Sequence, residues 1–217
     1  MAEKADIRVM IGIPTAGTVP AMFAYSLAGM VARFASTRVP TMPEVSISLV
    51  MRILESSNWI TNREKLAKLA VEEDATHLMF LDDDMQFDPR VLEMLLGRRQ
   101  DIVVTNYLIK TTPAKDFVAV DLQGRRVATT SESTGLQSIN YSGFGASLIS
   151  TDVFRKVPQP WFKPKFDPDS SEYTTEDCPF FEKVREAGYK VYLDQDASKL
   201  VGHIGRKTWV FDEVKNG

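Results

Sequence analysis

Thr76-His77-Leu78-Met79-Phe80-Leu81-Asp82-Asp83-Asp84-Met85 runs an apolar segment straight into three carboxylates. A hydrophobic run of this length, bounded by polar residues, reads as a buried strand. The acids then emerge at its C-terminal end, where open α/β sheets place their ligands. In an extended chain Asp82 and Asp84 share one face and Asp83 takes the other, so two carboxylates two residues apart can converge on one hard cation. Acids are also ordinary in turns after strands, so the triplet gains meaning only from what surrounds it.

Upstream, Ile7-Arg8-Val9-Met10-Ile11-Gly12-Ile13 reads as an inner strand, ended by Pro14-Thr15-Ala16-Gly17 and followed by a helix over Val19 to Phe34. A strand, a tight loop and a helix N-terminus can offer amide donors to a ligand or form a simple connection, and this loop carries neither a G-x-G-x-x-G nor a Walker pattern. Residues 35–48, with Pro40 and Pro43, read as a connection carrying one short strand. Helical spacing from Glu64 to Glu73 makes Thr61 or Asn62 the expected N-cap. Arg63 then sits in the first turn, against the helix dipole, and is expected to face an anion. Downstream of the acids, Asp88-Pro89 opens a helix that ends near Gly97, and Ile102 to Tyr107 is a further strand. This β, α, β alternation predicts a largely parallel sheet.

The middle of the chain changes character. Phe117 to Asp121 and Arg125 to Thr130 flank Gln123-Gly124 in a hairpin-like pattern, and with Gln137 to Tyr141 they predict an antiparallel appendage. Gly143 and Gly145, either side of Phe144, mark a β-bulge or a backbone that something approaches closely. Residues 157–172 hold four prolines with Trp161, Phe162 and Phe166 between them, the composition of a functional loop. Trp161 and Phe162 suit stacking on a sugar. Lys163, Lys165, Arg125 and Arg126 suit phosphates or plain solvation. Glu176 and Asp177 stand before a helix over Pro179 to Ala187 that Gly188 stops, and on their own they are ordinary dipole partners. Val191-Tyr192-Leu193 is a short strand, and His203, between Gly202 and Gly205, reads by itself as a satisfied core histidine.

At 217 residues the chain suits one α/β domain, and hydrophobic and charged fractions of 44% and 25% exclude disorder as its overall state. A net charge of −3 gives no global drive toward nucleic acid. The single cysteine, Cys178, excludes an intrachain disulfide framework and a cysteine-rich zinc site. No apolar run approaches the length of a bilayer span and the first residues lack a secretory signal, so the expectation is a cytoplasmic protein without an integral membrane segment.

Taken in order, the Pro-Thr loop, the Asn-Arg helix start, Phe80-Leu81-Asp82-Asp83-Asp84, the Gly-x-Gly segment, Glu176-Asp177 and His203 resemble the GT-A fold of nucleotide-sugar glycosyltransferases, particularly small family 2-like members. The resemblance runs from about Ile7 to Gly205. It implies a Rossmann-like α/β domain over residues 1–217, with a mixed, mostly parallel sheet and a small antiparallel appendage. The nucleotide-binding half would span about 7–110 and the acceptor and metal half about 111–210. It further implies Mn²⁺ or Mg²⁺ held by Asp84, Asp82 and His203, bridging the diphosphate of a donor, with UDP favoured. Pro14, Thr15, Ala16, Asn62, Arg63, Asp82 and Asp83 would serve the nucleotide. Asp177 resembles the base of inverting members, with Glu176 beside it, and Gly143, Gly145 and Trp161 would lie near donor sugar or acceptor. The activity implied is hexosyl transfer to an acceptor hydroxyl on a glycan, a protein, a small molecule or a modified DNA base. The alternatives are a nucleotidyltransferase, against which the missing Gly-rich, Lys/Arg-bearing phosphate loop argues, and a non-catalytic nucleotide-sugar-binding module. A Gln-x-x-Arg-Trp signature is absent from the sequence, which argues against long-polysaccharide synthesis.

Overall fold

The computed structural model describes residues 6–36, 46–110, 116–168, 171–205 and 208–210. The elements in order are β1 (Asp6–Thr15), α1 (Ala21–Ser36), β2 (Ser46–Glu55), α2 (Trp59–Glu72), β3 (His77–Leu81), β4 (Met85–Phe87), α3 (Val91–Gly97), β5 (Ile102–Val104) and β6 (Leu136–Ile139). They continue as β7 (Ala146–Ser150), α4 (Thr151–Lys156), β8 (Phe166–Asp167), β9 (Glu172–Tyr173), α5 (Asp177–Glu186), β10 (Val191–Asp194), α6 (Gln195–Ser198), β11 (Val201–Ile204) and β12 (Thr208–Val210).

Seven strands form the central sheet in the order β2-β1-β3-β7-β5-β10-β6. Their pairings leave β2, β1, β3, β5 and β10 running one way, with β7 and the edge strand β6 opposed. The sheet is therefore mixed and mostly parallel. Two smaller antiparallel sheets, β12-β11-β4 and β8-β9, lie outside it. Among the described residues no helix is long and apolar enough to cross a membrane.

The sheet is buried on both faces, and the strand period of two sorts its side chains. Leu78 and Phe80 of β3 join the core built with α2, α4 and α5, whereas Met79 and Leu81 join the one built with α1 and α3. Fully burying one such side chain contributes about 1.5–3 kcal/mol, so β3 is pinned from two sides and its register is fixed. Gly12 of β1 allows this packing, since a Cβ there would stand 3.0 Å from Leu78 Cδ1.

Several expectations need correction. The connection expected over 35–48 lies partly outside the described residues, at 37–45, and the next element is the ten-residue strand β2, in register with β1 along its whole length. Helix α2 starts earlier than its periodicity suggested: Asn58 is the N-cap, its side chain accepting from Thr61 N at 3.0 Å, so Thr61 and Asn62 lie inside the helix. Helix α3 begins at Val91, and Asp88 instead closes the preceding turn by accepting from Arg90 N at 2.9 Å. The turn at Gln123-Gly124 exists, held by Asp121 Oδ1 accepting from Gln123 N and Arg125 N at 2.9 Å. Its flanks, however, make isolated bridges in place of a hairpin ladder. Residues 136–139 join the main sheet beside β10.

Candidate functional site

The acidic end of β3 is shaped by three backbone connections. Asp82 N donates to Gly145 O at 3.0 Å, tying it to the chain just before β7. Met85 N donates to Asp82 O at 3.2 Å, closing a four-residue turn. Beyond the turn, β4 pairs antiparallel with β11, opposing Met85 to His203, and Ile204 N donates to Asp84 O at 2.7 Å. Across this turn the two carboxylates take different partners, Asp82 pairing with Arg63 and Asp84 with Lys110.

Asp82 faces Arg63. Arg63 Nη2 donates to Asp82 Oδ1 at 2.6 Å and Nε donates to Glu176 Oε1 at 3.0 Å, so one guanidinium bridges the end of β3 to the start of α5. Its side chain is only 6% exposed and lies over the rings of Phe144 and Phe80, 4.9 and 5.5 Å from their centroids. Burial would lower the Arg63 pKa, but Asp82 and Glu176 more than offset it and keep the group charged. Burial pushes the Asp82 carboxyl above its usual range, the pull of Arg63 opposing it. Arg63 Nη1 is buried and finds no hydrogen-bond partner among the described residues. Trp59, exposed at the rim, donates Nε1 to Glu176 Oε2 at 3.3 Å. Glu176 therefore accepts from side chains, and it offers no side-chain cap to α5.

Asp84 faces Lys110 and His203. Lys110 Nζ is ion-paired to Asp84 Oδ2, and His203 Nε2 lies 3.4 Å from the same oxygen. Burial would raise the Asp84 pKa, yet His203, when it carries a proton on Nε2, and Lys110 together prevail and hold it at about 2. His203 Nδ1 is 2.9 Å from Leu108 O. A carbonyl only accepts, so Nδ1 carries a proton, and in the neutral ring Nε2 turns its lone pair toward Asp84. Two acceptors so placed call for a proton or a cation between them. This fixing of a histidine by a carbonyl behind it is also how protein metal ligands are oriented. Among the described residues no cluster of three His, Cys, Asp or Glu side chains is arranged to hold an ion. Asp84 Oδ2 and His203 Nε2 are the two side-chain atoms here that could hold a hard divalent ion.

The residues expected to serve a nucleotide are brought together in large part. Pro14, Thr15, Ala16, Ser56, Ser57, Trp59, Arg63, Asp82, Asp83, Asp84 and Glu176 line a cleft of about 410 Å³ at the C-terminal ends of β1 and β3. Asn62 is not among them. It is buried and donates Nδ2 to Leu54 O at 2.9 Å and Ser56 O at 3.3 Å, fastening β2 to α2. Asp177 lies beside the cleft without lining it. Its Oδ1 accepts from Thr175 Oγ1 and, at 2.8 Å, from Cys178 N, and burial pushes its carboxyl up.

The remaining expected residues go elsewhere. The close approach that Gly143 and Gly145 permit is made by Tyr107: an added Cβ would stand 2.1 Å from its hydroxyl at Gly143 and 2.6 Å from its ring at Gly145. The Tyr107 hydroxyl accepts from Gly145 N at 3.1 Å, and burial pushes it well above its usual pKa. Trp161 and Phe162 are 5% and 1% exposed and pack with Phe154, Phe80 and Phe144, which corrects their expected role as an open stacking platform. Trp161 Nε1 donates to Val157 O at 2.7 Å, so its polar edge is satisfied inside the core. Sequence reasoning gave Lys110, Tyr107 and Trp59 no part in the site, where they contact Asp84, Gly145 and Glu176.

No protein-family profile matches the sequence, and no curated protein is similar to it. Solved structures are similar in fold. A197 from STIV superimposes with a TM-score of 0.59 at 17% identity, over 94% of this chain and 93% of that one. GalNAc-T7, a glycosyltransferase solved with UDP, GalNAc and Mn²⁺, superimposes with a TM-score of 0.56 at 13% identity, over 93% of this chain and 44% of that one. The fold is GT-A-like. Within a GT-A-like domain, the acidic end of β3 and the loop after β1 share the carboxyl-end rim where open α/β sheets bind ligands.

Proposed function

We propose that this protein is a metal-dependent glycosyltransferase that moves a sugar from a nucleoside diphosphate donor, UDP-sugar favoured, to an acceptor hydroxyl. The observation that carries the reading is the convergence, at one rim, of the Pro14–Ala16 loop, Arg63, the Asp82–Asp84 turn and His203, drawn from segments far apart in sequence. The similarity to GalNAc-T7 supports the fold and the donor class. In this reading the nucleoside occupies the cleft between the Pro14–Ala16 loop and Asp83. Asp84 and His203 hold Mn²⁺ or Mg²⁺, with Asp82 alongside and fixed by Arg63. Bound there, the ion supplies charge stabilisation to the leaving diphosphate.

The chain's own residues do the rest. Arg63 offsets part of the charge of Asp82 and Glu176, which lessens the repulsion the strand end presents to the incoming phosphates. Asp177, with its pKa raised by burial, is a better proton acceptor than an open carboxylate and serves as the base for the acceptor hydroxyl. Glu176, held by Arg63 and Trp59, positions the start of α5 and with it Asp177.

The test is calorimetric titration of nucleoside diphosphates and their sugars, with and without Mn²⁺, on the wild type and on Asp84→Ala. Manganese-dependent binding of one nucleotide, lost in the variant, is the expected result. Absence of binding by any of them overturns the reading, and binding without turnover on any acceptor replaces it with a nucleotide-sugar-binding module.

A further inference from the structure

Each carboxylate that flanks the turn after β3 already has a resident cation, and the two cations differ in kind. Arg63, on Asp82, is buried to 6% exposure, bridges a second carboxylate and lies against two aromatic rings. Removing it from that place breaks all of these contacts at once, so it is a permanent part of the structure. Lys110, on Asp84, is 31% exposed and has Asp84 as its only ion-pair partner among the described residues. Lysine is a compact point charge on a flexible stem, and an ion pair this open is weak.

The oxygen that Lys110 contacts, Asp84 Oδ2, is also the one 3.4 Å from His203 Nε2. An ammonium and a divalent cation held at that one oxygen repel each other, so each weakens the other's hold on it. We propose that Lys110 is an exchangeable internal counter-ion of the Asp84–His203 ion site: it neutralises Asp84 while no divalent ion is bound, and it is released toward the donor diphosphate when one binds. The inference rests on the metal-dependent reading above and adds a residue that neither the sequence nor the fold comparison assigns.

The exchange has opposite effects on the two ligands. Lys110 lowers the affinity for a divalent ion on its own, since binding must first displace it. It raises the affinity for ion and diphosphate together, since the released ammonium then has an anion to face. The coupling between ion and nucleotide is therefore stronger in the wild type than in a variant lacking the charge.

The experiment measures Mn²⁺ binding by electron paramagnetic resonance, first with Mn²⁺ alone and then with UDP present, on the wild type, Lys110→Met, Lys110→Arg and Asp84→Ala, with thermal melting to establish folding. Lys110→Met is expected to bind Mn²⁺ alone about two- to fivefold more tightly than the wild type, the factor set by an ion pair of this exposure. UDP is expected to enhance Mn²⁺ binding less in that variant, and Lys110→Arg to stay near the wild type in both. Mn²⁺ affinity unchanged or weakened in a folded Lys110→Met, with Asp84→Ala still abolishing binding, overturns this inference and leaves the metal site intact. No Mn²⁺ binding by the wild type, with or without UDP, overturns both.

Discussion

Arg63→Met isolates the most consequential contact of the site. The substitution keeps an unbranched apolar stem but removes the guanidinium, and with it the cation over the Phe144 and Phe80 rings and the charge that Asp82 and Glu176 share at 2.6 and 3.0 Å. Glu176 is buried and Asp82 largely so, with side-chain exposures of 10% and 23%. The variant thus leaves two like charges facing each other in a poorly solvated space. Breaking a buried ion pair by deleting one partner costs about 3–5 kcal/mol, and the residual Trp59 hydrogen bond to Glu176 at 3.3 Å is too long to offset it. In a chain of this size each kcal/mol moves the melting temperature by about 2–4 °C, so a fall of about 6–20 °C is expected. Urea unfolding followed by circular dichroism, checked against thermal melting, reads the loss directly. The triple variant Arg63→Met, Asp82→Asn, Glu176→Gln should recover much of it, because the cost lies in the stranded carboxylates and not in the missing arginine. A loss below about 1 kcal/mol for the single variant, or a triple variant no more stable than the single one, refutes this account of how the strand end is neutralised.

Gly143→Ala is expected to lose about 1–3 kcal/mol, because its Cβ would stand 2.1 Å from the Tyr107 hydroxyl, and Tyr107→Phe should restore much of that loss by removing the oxygen. The same Tyr107→Phe change should not rescue Gly145→Ala, whose Cβ meets ring atoms at 2.6 and 2.7 Å; equal rescue of both by urea unfolding would contradict the packing described. Asp177 has a folded pKa raised by burial, so its contribution is complete below the unfolded value near about 4 and is lost as pH rises through the folded value. Asp177→Asn should therefore match the wild type in urea midpoint at pH 4 and exceed it at pH 8. A variant that loses ground as pH rises would show that Asp177 is not held against its burial.

How much the sequence reveals depends on the range of the forces involved. β1, α1, β3 and α5 are legible because an apolar run, a helical period and the Gly188 stop are local signals. Gly188 has φ +89°, the left-handed conformation its position after α5 requires. β2 is not legible, because it is a partly exposed edge strand whose polar Ser46, Ser48 and Arg52 dilute the pattern, and its place is set by ten residues of pairing to β1. The anion that Arg63 was expected to face proves to be two carboxylates of the protein itself, one of them 113 residues away. The Gly-x-Gly segment announces that something large comes close, but only the packing names Tyr107. Lys110 carries no local signal at all: a lysine after a strand is ordinary, and its meaning comes from the turn that brings Asp84 beneath it. Trp161 misled for the opposite reason, since aromatics among prolines resemble an open loop until the core closes around them.

The bridge that Arg63 makes from α2 through the end of β3 to α5 also bears on how the chain reaches this structure. Its two ends belong to segments 113 residues apart, and β3 itself pairs with β7 across a long intervening stretch. Contacts of that span are slow to form, because the entropy of closing the loop is lost before any pairing compensates it. Until α5 docks, the acidic tip of β3 lacks part of its neutralisation, and its repulsion disfavours premature burial. Completion of the cleft is therefore expected among the last events of folding, after the strand and helix that carry its parts have come together.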